Sequence, residues 1–229
     1  PYDTKNDGFA NSPDKKNVGN HAISFQDISD DRSLINNAIF NYSERGINLL
    51  QASPSIQNSK FINGKWGVVL NGVSSPKIDS CSFKDLVYTP ISLSLVSYPS
   101  STNGNIISGT TYKAIGVLSE ELVQDATLSK RNFGGINNIP YYFSGDYTIG
   151  TSVALTVNPG VVCKFNQWSK LVVNRGLIAK GGSTPDSTIV FTDIRDDFYG
   201  GDTNADSIAS TPKNTYYCWN GIDFKDVAL

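Results

Sequence analysis

The sequence predicts an all-β solenoid, a chain wound into stacked coils of parallel strands, and three observations carry that expectation. Four apolar lines recur at a period of about 22: Ile35, Ile56 and Ile78; Phe40, Phe61 and Phe83; Ile47, Val68 and Ile91; Leu49, Leu70 and Leu93. Each coil closes on turn formers, in Ala52-Ser53-Pro54-Ser55, Ser74-Ser75-Pro76 and Ser97-Tyr98-Pro99-Ser100. Helical periodicity is nearly absent. A period near 22 is longer than a heptad and shorter than a folded domain, and it matches one coil of about 21–23 residues.

Within a coil, alternation sets the inward face. Cys81 and Phe83 share a face, as do Val68 and Leu70, and Ile91 and Leu93. Asn37, Asn58 and Ser80 fall where a bend must reset the phase, and asparagine tolerates left-handed backbone there. The small residues Ala38, Ser59 and Cys81 follow. The outward columns are then Asn36, Gln57 and Asp79; Asn48, Val69 and Ser92; and Asn41, Ile62 and Lys84.

Residues 33–118 are expected to form regular coils. Residues 119–146, rich in Asn, Gly and Tyr, read as an excursion or junction, and Ser119 to Lys130 is the one stretch compatible with a short helix, with Glu120 and Glu121 in its first turn. Residues 147–229 begin a second set of coils, with short strands at 154–157, 161–165, 170–173, 176–179 and 189–192.

A larger repeat overlies the small one. At an ungapped offset of 199, Asp3, Thr4, Asp7, Ala10, Pro13, Ile23, Phe25 and Asp27 match Asp202, Thr203, Asp206, Ala209, Pro212, Ile222, Phe224 and Asp226. Residues 1–30 and 200–229 are therefore equivalent parts of successive units of about 199 residues. The whole of 1–229 reads as one β-helix fragment of a tandem array whose partners are neighbouring units of the same chain.

Composition narrows the function classes. The net charge is −2 and no basic run exceeds Lys15-Lys16, so no nucleic-acid surface is expected. No stretch approaches the roughly 20 apolar residues of a membrane span. Three cysteines without CxxC spacing support neither a zinc site nor a disulfide framework. The opening Pro1-Tyr2-Asp3-Thr4-Lys5 carries no signal peptide, so the chain is expected to be an interior piece of a longer, secreted mature protein.

Ala154 to Val161, Gly176 to Gly181, Ile189 to Thr192, the Asp202 loop and Trp219-Asn220-Gly221-Ile222 resemble large secreted bacterial proteins built of right-handed parallel β-helix repeats. The ladder from Ile35 to Leu93 is similar to the same superfamily, which includes pectate-lyase-like enzymes. The resemblance implies a right-handed coil and an extracellular or cell-surface location. It leaves function open, because that fold carries lyases, hydrolases, tailspikes and non-catalytic surface proteins.

Two groups of residues are candidate sites. Asp202, Asn204 and Asp206 alternate as in an oxygen-rich calcium loop, with Asp196 and Asp197 close by, although Ser207 stands where a sharp-turn glycine would be. The competing reading is a surface loop held by its own Asx bonds. The equivalent loop near Asp3 carries Lys5 in place of Asn204 and is expected to hold no metal. Trp66, Tyr141, Tyr142, Trp168 and Trp219 are candidate contacts for a glycan or protein partner, the competing reading being that they pack the bends. No outward column stacks two acids, and His21 is the sole histidine, replaced by Asn220 in the other copy. The expectation is a non-catalytic structural or adhesion module, calcium-stabilised and glycan- or partner-binding. The alternative is a polysaccharide lyase or glycoside hydrolase.

Overall fold

The computed structural model describes residues 19–26, 31–212 and 217–225. It is an all-β parallel solenoid of about 7 turns, with no helix among the described residues. One long sheet runs its length through β1 (His21–Phe25), β4 (Arg45–Leu50), β7 (Trp66–Asn71), β10 (Ile91–Leu93), β12 (Ile115–Val117), β15 (Tyr141–Phe143), β18 (Val162–Phe165) and β21 (Val190–Asp193). In the first half each coil continues through one of β2 (Leu34–Asn36), β5 (Ser55–Gln57) and β8 (Lys77–Asp79), which form a second sheet. A third sheet holds β3 (Ile39–Asn41), β6 (Lys60–Ile62), β9 (Ser82–Lys84) and β11 (Ile106–Ser108). The later coils use β13 (Glu121–Leu122), β16 (Tyr147–Ile149), β19 (Leu171–Val173) and β22 (Ile222–Phe224), then β14 (Ala126–Leu128), β17 (Ala154–Val157) and β20 (Gly176–Ala179).

The four lines stack as the alternation requires. Ile47, Val68, Ile91, Ile115, Tyr141 and Cys163 are in register, as are Leu49, Leu70, Leu93, Val117, Phe143 and Phe165, and all are buried. Phe40, Phe61 and Phe83 stack with centroids 4.8 and 4.9 Å apart and planes within 10°. That separation is the strand spacing itself, so backbone pairing and ring stacking reinforce each other. Gly46 and Gly67 make room for the rings, since a Cβ there would lie 2.4 Å from Phe61 Cδ1 and 2.5 Å from Phe83 Cδ1.

The bends behave as their residues suggest. Asn37, Asn58 and Ser80 have φ of 57°, 49° and 55°. The amide of Asn58 donates to Asn36 Oδ1 of the coil before at 2.8 Å, and Asn63 donates to Asn41 at 3.1 Å. At the Ser-Pro turns, Ala52 N donates to Ser74 Oγ and Ser74 N to Ser97 Oγ. Cys81 is buried and its thiol donates to the carbonyl of Asp79 at 3.3 Å.

Three features differ from expectation. The stretch compatible with a helix forms β13 and β14, because Leu122, Ala126 and Leu128 alternate inward onto Ile149, Leu155 and Val157 of the next coil. The long sheet also crosses 119–146 unbroken, Ile115 pairing with Tyr141, with an excursion confined to the loop between β14 and β15. Finally, Asn48, Val69 and Ser92 lie on the outer face yet are covered, at 9%, 1% and 4% exposure.

Glu120 is half-buried and accepts a 2.5 Å bond from Ser94 Oγ. Burial pushes its carboxyl above the usual range, against the opposing pull of the Ser94 and Leu95 hydrogen bonds. The folded state therefore holds the Glu120 proton more tightly than the unfolded chain does. That contribution to stability is complete below the unfolded glutamate value of about 4.3 and is lost as pH rises through the folded value. In Glu120→Gln, the fall in urea-unfolding stability above about pH 4.3 should be shallower than in the parent; an unchanged slope would remove Glu120 as its source.

Candidate functional site

The covered outer column is the floor of a groove. Val69, Ser92 and Gly116 occupy successive strands of the long sheet, and a Cβ on Gly116 would lie 2.5 Å from Ser92 Oγ, so the floor stays low there. At the strands' N-terminal ends Trp66 stacks on Tyr88 at 4.4 Å, and Tyr112, just before β12, stacks at 4.6 Å on Tyr142, which follows Gly116 in the floor column. The Arg45 guanidinium sits 5.9 Å from the Trp66 ring and bonds Asn48 Oδ1 at 2.6 Å. Beyond the C-terminal ends lie Ser119, Ser144 and Asn166, and the enclosed volume is about 370 Å³. Burial, reinforced by the neighbouring Tyr112, pushes the Tyr142 hydroxyl far above the tyrosine range and keeps it neutral.

Lys164 is next in the floor column after Tyr142 and is fully buried. Its Nζ donates to the carbonyls of Asp196 and Gly201, both at 2.7 Å. Burial lowers its pKa to about 8, with Asp196 and Asp197 pulling the other way. The acidic loop thus folds back over the outer face and is tied to the groove wall. Lys113, adjacent to Tyr112, donates its backbone N–H to Thr203 O at 2.8 Å, and its ammonium lies 3.7 Å from Asp202 Oδ2.

Inside that loop, Asp197, Asp202 and Asp206 each bring a carboxylate oxygen within 4.8 Å of the other two. Asp197 Oδ1, Asn204 Oδ1 and Asp206 Oδ1 are shielded from solvent without a hydrogen-bond donor. All three are acceptors, the donor set a hard cation takes. Ser207 adopts φ of 63°, supplying the left-handed turn expected of a glycine. Burial and the neighbouring Asp202 raise the Asp197 carboxyl above its ordinary range, since carboxylates brought close together resist ionising.

Asp196 is not in the cluster. Its carboxylate accepts from Thr192 Oγ1 at 2.5 Å and from Phe198 N at 3.0 Å. Asp193 takes the inward position above Phe165 and binds Arg195 through both oxygens, at 2.6 and 2.7 Å. The Asp3 loop and its Lys5 lie outside the described residues.

Of the five expected aromatic contacts, Trp66 and Tyr142 reach the groove. Tyr141 points into the core, where its hydroxyl donates to Ser129 O and accepts from Arg131 Nε. Trp219 stacks on Phe165 at 4.5 Å, packing the core as the competing reading held. Trp168 is half exposed, 6.0 Å from Tyr217 and apart from the groove residues. Tyr88 and Tyr112 are contacts that sequence reasoning missed, although Trp66, Tyr88 and Tyr112 recur at spacings of 22 and 24, a further line of the ladder. His21 is exposed on β1.

A larger cavity of about 500 Å³ lies between residues 98–105 and 130–137. There the Arg131 guanidinium covers the Tyr98 ring at 3.6 Å, so that aromatic face is already occupied. Compared with known proteins, the chain matches no family model, no curated protein and no solved structure.

Proposed function

We propose that this chain is a non-catalytic module of an extracellular, repetitive surface protein, and that it holds an extended glycan in the groove over its long sheet. The observation that carries this reading is the pair of aromatic stacks, Trp66 on Tyr88 and Tyr112 on Tyr142, standing beside a low floor of Val69, Ser92 and Gly116. Ring edges and hydroxyls along one wall, with serine and asparagine along the other, offer the mixed apolar and hydrogen-bonding surface that sugars require. A solenoid suits such a ligand because each coil adds one more rung to the contact line.

Calcium is the second part of the proposal. Asp197, Asp202, Asn204 and Asp206 would hold it, and its charge would draw together the loop that anchors Lys113 and hence Tyr112. The alternative, a polysaccharide lyase or hydrolase, needs acidic or basic groups at the scissile bond. Among the described residues lining the groove, Arg45 is the one charged side chain and no Asp, Glu or His occurs, which favours binding over cleavage.

The test is a polysaccharide panel screened by retention on immobilised protein. Trp66→Ala combined with Tyr88→Ala should weaken the best ligand by at least about tenfold, since recognition aromatics commonly contribute more than 1 kcal/mol each. Trp168→Ala should leave binding unchanged. Equal loss from both substitutions would move the site away from the groove.

A further inference from the structure

We infer that tandem units of this sequence join as one unbroken solenoid through a shared strand, Ile222–Phe224 ending one unit and beginning the long sheet of the next. The two copies of this strand pair on opposite edges. Ile222–Phe224 lies against the preceding coil, Leu171 beside Ile222 and Val173 beside Phe224. Its equivalent, in β1, lies against the following coil, Ile23 beside Ile47 and Phe25 beside Leu49. A parallel strand has one edge for the coil before it and one for the coil after it, so a single strand satisfies both pairings at once.

The side-chain phase agrees. Leu171 and Val173 are buried, as are Ile47 and Leu49, so the isoleucine and phenylalanine face inward in both settings. Asp223 and Ser24 take the outward position, beside Val172 and Asn48. A slip of one residue would turn both apolar residues to solvent, so the register is specified from either side. Phe224 is 66% exposed at its open edge, while Ile222 already packs against the core. The next unit's equivalent of Leu49 is the residue that covers it.

One consequence is geometric. The strand belongs to the sheet of β13, β16 and β19 in one unit and to the long sheet in the next. Each unit's long sheet therefore grows from a side sheet of its predecessor, and the groove turns by one face of the solenoid from unit to unit. A tandem array would present its grooves around the fibre instead of along one side.

The test compares this chain with a two-unit chain made by following residue 224 directly with residues 26–229. Phe224→Asp should shift the melting temperature of the single chain by less than about 2 °C, and lower that of the two-unit chain by at least about 5 °C. Hydrogen exchange at residues 222–224 should be at least about 100-fold slower in the two-unit chain. Small and equal effects of Phe224→Asp in both chains, or a second unit whose Phe83 strand stays unprotected beside a folded first unit, would overturn the inference.

Discussion

Phe83→Ala should destabilise the protein by about 3–5 kcal/mol, the largest single-residue effect expected of it. Phe83 is fully buried and stacked on Phe61, and Phe133 tilts against its other side at 5.5 Å. Its ring also fills the space above Gly67, where no side chain stands to collapse into the void. Each coil rests on its neighbours, so the loss should spread to the coils of Phe61 and Ile107 before it reaches the ends. Urea unfolding gives the magnitude, and hydrogen exchange should show the amides of β6 and β9 opening first. A loss below about 1 kcal/mol would mean that the rings contribute far less than their burial implies.

Calcium should raise the melting temperature by about 3–11 °C at 10 mM. That range follows from a dissociation constant of about 0.1–1 mM, as in extracellular calcium modules, and roughly 2–4 °C per kcal/mol for a chain of this size. Asp206→Ala should abolish the rise, because Asp206 brings an unpaired buried oxygen and shares its other oxygen with Asn204 and Ser210. Asp196→Asn should preserve most of it, since the Asp196 carboxylate caps its own turn. A rise that survives Asp206→Ala would place the ion elsewhere, and no rise at all would leave the loop to its own hydrogen bonds.

The ladder was legible because identical side chains stack once per coil, and a column of Ile or Phe at a period of 22 suits few folds besides a solenoid. Legibility failed where spacing stretched. From Ile115 to Tyr141 the coil carries an added loop, and the adjacent Glu120-Glu121 suggested a helix start; the two-residue alternation of Ala126 and Leu128 decides the outcome once Leu155 and Val157 lie above them. The groove was harder still. Val69 and Ser92 share their groove with Trp66, Tyr88 and Tyr112, and Asn48 is bonded by Arg45 and Asn71, none of which alternation within a strand foretells. Asp196 and Asp197 are neighbours in sequence, yet one tight turn commits the first to capping and leaves the second for the cluster. Tyr141 and Tyr142 diverge for the simplest reason, that successive strand residues face opposite sides.

The most direct test of the binding account is to recover the polysaccharide after prolonged incubation with the protein in calcium and measure both retention and chain length. The account predicts a retained ligand of unchanged length, with no new reducing or unsaturated ends. Shortened chains, produced by the parent protein and not by Trp66→Ala combined with Tyr88→Ala, would contradict it and make the groove an active site.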